Sequence, residues 1–595
     1  MRTVTMNLHL PQLTAREEDL SHSPNNPKAM RRWLKDLPLV NMGESTKLMF
    51  TTLKVLNRQS IDYRVRFEIM ELLRPTARMI LKHLQRHFAA ITLPISGRNR
   101  QIDRLTDALL QELSVGYKHV VHDIATGRDR TDRKLLATAI HRAMRYLNEL
   151  LLRGAALYKP DPRNAWHDLH RLQGLAELHK LSGLEVPDED YRTIEASSID
   201  DVYKQACLLA ISGPLRLRTG EAERLATYFE TACHLSEMKR TLSPDGKGLV
   251  HVASLKSSEP PAFIPLADIT TFSNLRGFDL TRLISTLKDM LSELQTEHST
   301  GQSGFSKIPL DKRLLERLLH SWTTRERRRF SRVSTNRTIV TALGLTNIIQ
   351  AINADSNPYL NKSELFFDKQ EAETLQPQHA TLAGLSPAYS MTGELEFVDG
   401  AYYDHHATDQ MLRPHQVEKR ALPDSWLEWT VINTGAGGYG LLWNADTPIN
   451  LHVGELIALR DKEYDEYQWR VGIVRWLRHR TDSGVEVGVQ LISPRGTVVQ
   501  IDDIRNRTHP DILPIEGLML PGMRTIKQMP SLLVPARSFL PDDVLELRAL
   551  GKKLCLQLKQ TGEHSTYYTQ FFYRSTEVKE QVDAREEFED LWNRL

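Results

Sequence analysis

The residues best suited to chemistry lie in a basic run, Arg325-Glu326-Arg327-Arg328-Arg329-Phe330-Ser331-Arg332-Val333. Arg328 and Arg332 stand four apart, with Arg327 and Arg329 beside them. A guanidinium is a flat fork of donors that fits a phosphate or the O6/N7 edge of guanine, and its face stacks on aromatic rings. The run therefore suits a ligand with phosphates and guanines, and the plain alternative is a solvated basic helix end. From Asp311 to Arg337, nine lysines and arginines face three acids, a short basic stretch better matched to a small dianion than to a duplex. The whole chain is nearly balanced, with 77 basic and 75 acidic residues, so bulk nucleic-acid binding is disfavoured.

A second unusual stretch lies about a hundred residues downstream: Asn433-Thr434-Gly435-Ala436-Gly437-Gly438-Tyr439-Gly440. As text it contains G-x-G-x-x-G, the dinucleotide-binding fingerprint. That fingerprint needs a helix to open at the glycines, so that its N-terminus can hold a pyrophosphate. Here Leu441-Leu442-Trp443 runs instead as a short strand into Thr447-Pro448. The spacing predicts a tight strand-to-strand turn with exposed backbone, open to close ligand approach.

Together the two stretches resemble the PilZ domain, a bacterial receptor module for cyclic di-GMP. The family carries R-x-x-x-R at the entrance of a small β-barrel and [D/N]-x-S-x-x-G on the barrel surface. Arg328 and Arg332 match the first motif, and Asn433 and Gly438 match the ends of the second. Gly435 stands where the family has serine, with Thr434 the nearest hydroxyl. Strand-like runs at 426–432, 439–443, 453–459, 468–476 and 484–492 supply the rest of a barrel. The resemblance implies that Arg328 and Arg332 bind phosphates and guanines, assisted by Arg327 and Arg329. Asn433, Thr434, Gly435 and Gly438 would form the barrel half of the site. The missing serine hydroxyl predicts a loss of about 0.5–1.5 kcal/mol. Arg332 and Asn433 are 101 positions apart, which requires an insertion near 353–424, tolerable because loop closure grows only logarithmically with length.

The elements that hold these residues belong to a multidomain α+β chain, since 595 residues are too many for one core. Residues 1–27 read as a disordered lead and 28–240 as an all-α bundle or solenoid-like domain. Within it, helices are expected at 45–56, 61–73, 76–88, 98–125 and 131–157, with Ser197 and Ser198 before Asp200 and Asp201 as caps for a later one that ends near Gly213-Pro214. Residues 241–308 read as a mixed connector with a helix at 278–294 and a linker at 295–306. A PilZ-like barrel with its insertion is expected at 309–496. It would be entered by a helix whose Leu310, Leu314, Leu315, Leu318, Leu319 and Trp322 share one face, read as core, with a dimer contact as the alternative. A β-rich domain ending in a helix is expected at 497–595.

Cys207, Cys233 and Cys555 fit neither a disulfide framework nor a zinc spacing, which points to the cytoplasm. No stretch reaches the length of a membrane span. Asp404, His405, His406 and Asp409 have ligand chemistry but no second spaced pair, so no metal is assigned. The common motifs of hydrolases, metalloproteases and P-loop enzymes are missing, as are those of enzymes that make or break cyclic di-GMP. The expectation is therefore a non-enzymatic, cytoplasmic cyclic di-GMP receptor without cofactor, acting on motility, pili or biofilm through a protein partner of the helical region. Ligand would order the arginine segment against the barrel, and self-association is allowed. The rival is a helical scaffold whose barrel has lost its nucleotide.

Overall fold

The computed structural model describes residues 7–13, 24–88, 92–95, 97–127, 132–240, 249–265, 274–300, 310–324, 331–354, 426–445, 447–461, 468–480, 484–502, 514–521, 529–549 and 552–575. The chain forms two units. One is Met1–Arg325 with Asn444–Val453 and Trp476–Val487; the other is Glu326–Trp443 with Gly454–Arg475 and Gly488–Leu595.

The first unit is mainly helical: α1 (Pro27–Lys35), α2 (Met42–Leu56), α3 (Tyr63–Gln85), α4 (Gly97–Thr126), α5 (Arg133–Ala156), α6 (Ala165–Leu178), α7 (Ile199–Ile211), α8 (Glu221–Ala232), α9 (Thr281–Thr300) and α10 (Lys312–Thr323). Strands β1 (Glu185–Pro187) and β2 (Ala196–Ser198) pair before α7, which Ser198 and Asp201 cap reciprocally. Strands β3 (Glu237–Lys239), β4 (Leu249–Ser254), β5 (Ala262–Pro265) and β6 (Leu275–Asp279) form a sheet ordered β3-β6-β4-β5.

Instead of helices at 61–73 and 76–88 there is one, α3, with Pro75 inside it. The apolar stripe Ile69, Met70, Leu73, Ala77, Ile80 and Leu84 continues past the proline, which sits on the exposed face where a lost backbone hydrogen bond is met by water. The linker expected at 295–306 is helical as far as Thr300. The lead is not wholly disordered: Leu8 is buried in the helical core and His9 is bonded to Asp168. A domain start at 309 also differs from what is seen. Leu310, Leu314, Leu315, Leu318 and Trp322 are buried in the same core as α2–α8, so α10 belongs to the first unit. The expected connector likewise joins this core through Ala253, Leu255, Phe278 and Leu283.

Two barrels follow, formed mainly by residues of the second unit, with strand residues 476–479 and 485–487 counted in the first unit. The first barrel contains β8 (Thr338–Leu343), β9 (Trp426–Gly435), β10 (Gly438–Trp443), β11 (Leu456–Asp461), β12 (Arg470–His479) and β13 (Val485–Ser493), in the order β10-β13-β12-β11-β8-β9 with β9 and β10 paired to close the ring. A short strand, β7 (Val333–Ser334), adds to β9. The second barrel is closed in the order β14-β15-β16-β19-β18-β17, from β14 (Thr497–Asp502), β15 (Ile515–Leu520), β16 (Ser531–Pro535), β17 (Val544–Ala549), β18 (Lys552–His564) and β19 (Tyr568–Ser575). The insertion, apart from its first two residues, lies outside the described residues, as does the expected closing helix at 580–595.

Helix α11 (Leu345–Ala354) follows β8 and packs on β8 and β11 of the first barrel and on β14, β15 and β16 of the second. Its Leu345, Ile348 and Ile349 share a core with Val340, Ala342 and Leu456 on one side and Leu518, Leu520 and Leu533 on the other. Met519, Leu532 and Val534 point the opposite way, into the second barrel. Burial on both faces explains why Leu518-Met519-Leu520 and Leu532-Leu533-Val534 are continuous apolar runs rather than alternating ones.

Glu455 is buried where β11 begins, its Oε1 close to Gly344 before α11. Burial pushes its carboxyl up to about 7, a rise the Leu456 backbone partly opposes. The fold thus favours the protonated group. That stabilisation is full below the ordinary carboxyl range and is lost as pH rises through about 7. The N-terminus of α11 offsets part of the cost of the anion. Glu455→Gln is therefore expected to change urea stability little at about pH 5 and to raise it by about 1–3 kcal/mol at about pH 8. An equal change at both would assign the effect to packing instead.

Candidate functional site

The site is built on β9. Thr338–Ala342 of β8 pairs with Trp426–Thr430 in its first half. Past Thr430 the arginine segment takes over: Val431 N–H donates to Arg337 O (2.8 Å) and Thr335 N–H to Ile432 O (3.2 Å). Ser334 then pairs with Asn433, and Val333 with Thr434. At the far end, Arg337 is held by Asp461 (2.7 Å), whose side chain is only 2% exposed. The segment 331–337 is therefore laid along the barrel by its own backbone.

β9 turns into β10 through Ala436–Gly437, with Gly435 opposite Gly438 and Thr434 opposite Tyr439. This is the tight turn the glycines predict, with no helix following. Gly438 has φ +155°, and a Cβ there would lie 2.0 Å from Val489 O of β13. Leu491 N–H donates to Gly437 O (3.0 Å), which ties the turn to the same strand.

Across the 101-residue gap, Arg332 Nη1 donates to Asn433 Oδ1 at 3.1 Å. The Asn433 carboxamide lies over Gly440. Ser331 O sits 2.6 Å from where a Cβ on Gly435 would be, and Arg332 Cγ 3.6 Å from it. The structure thus brings together Arg332, Asn433, Thr434, Gly435 and Gly438. Arg327, Arg328 and Arg329 lie outside the described residues. Sequence reading missed Arg337, whose only signal is the third arginine at 328, 332 and 337.

Two other polar clusters belong to the first unit. Asp168 takes Lys118 Nζ on Oδ2 (2.6 Å) and both His9 Nδ1 (3.0 Å) and His167 Nδ1 (3.1 Å) on Oδ1. Despite burial, these donors hold its carboxyl below the usual range. The three side chains have metal-ligand chemistry. Arg171 Nε points at His167 Nε2 (3.5 Å), however, which leaves the ring proton on Nδ1 and directed at Asp168. With the Lys118 ammonium balancing the carboxylate, the cluster is a hydrogen-bonded anchor for the 7–13 segment. The second cluster lines a cavity of about 470 Å³. There Asp188, 2% exposed, meets Arg74 (2.6 Å), Arg145 (3.1 Å) and Arg142 (3.4 Å). Burial would raise its pKa; Arg145, Arg142 and Arg74 outweigh that and bring it down to about 2. Arg74 and Arg78 also hold Asp190, so these charges are spent on fixing the 188–190 loop.

Family models match in order along the chain: "Cyclic-di-GMP receptor FimW, N-terminal domain" at 28–241, "Cyclic-di-GMP receptor FimW, middle PilZ domain" at 250–497, and "FimW C-terminal beta-barrel domain" at 501–576. The chain is 25% identical over 620 aligned residues to a Pseudomonas aeruginosa protein named cyclic-di-GMP receptor FimW, with 100% of both chains covered. No solved structure matches the chain. The helical region, the closed barrel with its β9–β10 turn and the second barrel follow the same three-part layout, and the middle region of this chain, 250–497, belongs to the PilZ domain family.

Proposed function

We propose that this protein is a cyclic di-GMP receptor. The observation that carries the reading is the Arg332–Asn433 hydrogen bond, which joins the two separated motifs at one barrel rim. The named relative, a cyclic-di-GMP receptor alignable from end to end, supports the same ligand. In this reading Arg328 and Arg332 take the phosphates and guanines, assisted by Arg327 and Arg329. Asn433 orients Arg332, and Thr434, Gly435 and Gly438 shape the turn beneath. The protein performs no catalysis. It works in the cytoplasm through a protein partner of the helical region, in motility, pili or biofilm control. Among the described residues no helix is long and apolar enough to cross a membrane, and Cys207, Cys233 and Cys555 are free thiols.

The test is isothermal titration of the full chain with cyclic di-GMP. Binding is expected for the wild type. Arg332→Ala removes charge-assisted hydrogen bonds of about 1.5–3 kcal/mol, a loss of about 10- to 150-fold in affinity. No heat with the wild type at tens of micromolar (roughly the range where Kd corresponds to a binding free energy of about −7 kcal/mol) would sink the receptor reading. Unchanged affinity in the variant would sink the site assignment.

A further inference from the structure

We propose that Gly435 is the seat on which the arginine segment docks before ligand arrives. Position 435 has exchanged one role for another: where the resemblance expects a serine hydroxyl, this chain needs the absence of a side chain. This inference rests on the receptor reading of the site and concerns how the site is prepared.

The geometry is local and specific. A Cβ on Gly435 would stand 2.6 Å from Ser331 O, a separation real Cβ atoms essentially never show. The obstructing atom is backbone, so no rotamer change relieves it. No positive φ is recorded at Gly435, unlike Gly438, so the glycine answers to close approach alone. What lies over it is the start of the segment that carries Arg332, directly before the β7 pairing of Val333 with Thr434 and Ser334 with Asn433.

A side chain at 435 must lift Ser331, and Arg332 moves with it. The contacts opposing that shift are few: β7 has two residues, and the backbone bonds at Thr335 and Val431 lie further along. Lifting the segment removes Arg332 from Asn433 and returns to the ligand the cost of ordering the chain. Restoring the family serine at 435 should therefore weaken binding. The expectation from the motif alone is the reverse.

The experiment compares full-length wild type, Gly435→Ser and Gly435→Ala by two readouts: hydrogen–deuterium exchange of the ligand-free protein over 331–337, and titration with cyclic di-GMP. Exchange over 331–337 is expected to rise about tenfold or more in both variants, with the 456–461 and 470–477 strands unchanged as the folding control. Affinity is expected to fall about tenfold or more in both. Serine binding as tightly as glycine, or more tightly, would overturn the proposal, as would unchanged exchange. Should the 435 variants lose the strand control, Thr335→Pro decides. It deletes the N–H that donates to Ile432 without touching the turn, and the same rise and fall are expected. If wild type gives no titration, the receptor reading fails while the exchange comparison still decides whether Gly435 is the seat.

Discussion

Gly438→Ala is expected to destabilise the second unit by about 3–5 kcal/mol and to remove measurable cyclic di-GMP binding. Two effects add at this position. Its φ of +155° lies where L-residues are strained, and the new Cβ would come within 2.0 Å of Val489 O, 3.0 Å of Val489 C and 3.2 Å of Gln490 Cα. All three atoms are backbone of β13, and β13 pairs with β10 in the ring. The strand cannot retreat without opening the barrel where the turn is tied to Leu491. Urea unfolding followed by tryptophan fluorescence measures the loss, since Trp429 and Trp443 are buried in this barrel. A midpoint like that of the wild type would mean the turn can re-form in another conformation. The contrast with Gly435 is in which backbone the new Cβ would meet: a strand of the closed ring at 438, the Ser331 carbonyl just ahead of a two-residue strand at 435. The first substitution should damage the barrel and the second only the segment lying on it.

Asp188→Asn should cost the helical unit about 3–5 kcal/mol, because it leaves Arg74, Arg142 and Arg145 beside a neutral group. Arg74 keeps Asp190, but Arg142, itself only 6% exposed, is left with Glu71 at 3.5 Å, and the carboxylate that all three arginines share is gone. The Asp188 carboxyl is lowered in the folded chain, so its contribution is present above the ordinary carboxyl range and fades as pH falls toward about 2. The variant should therefore be much weaker than wild type at neutral pH and approach it in acid. Asp190→Asn is the control: its side chain is 26% exposed, and the expected cost is about 0–1 kcal/mol. Far-UV denaturation curves at two pH values read both. Equal losses in the two variants would refute the buried-charge explanation.

The barrel was largely legible in the sequence because its signals are local. The strands at 426–443 and 484–492 show as apolar runs bounded by glycines. Asn433 and Gly438 stand in a fixed short pattern whose turn geometry follows from positive φ and close approach. Arg332 was legible from the same kind of spacing. What could not be read depends on distant partners. Nothing in Leu8 or His9 announces that Asp168 lies beneath them. Pro75 reads as a helix break until the apolar stripe on both sides of it is seen to bury continuously. The face of α10 reads as core, with a dimer contact as the rival, and tertiary packing shows which core it joins, that of the helical unit. Asp188 reads as one acid in the polar run Asp188-Glu189-Asp190 until three arginines from α3 and α5 converge on it. Gly435 was read as a missing hydroxyl because a motif records side chains, whereas the atom that occupies its space is a carbonyl 104 positions earlier in the chain.

The border between the two matched β-domains falls at 497–501, inside β14, while α11 presses Ile348 and Ile349 against strands from both sides of that border. A middle domain excised at this border would bare an apolar wall, which in isolation invites aggregation. The same wall limits how such chains can be rearranged in evolution. A replacement second barrel would have to offer α11 an apolar face matching Leu518, Leu520 and Leu533.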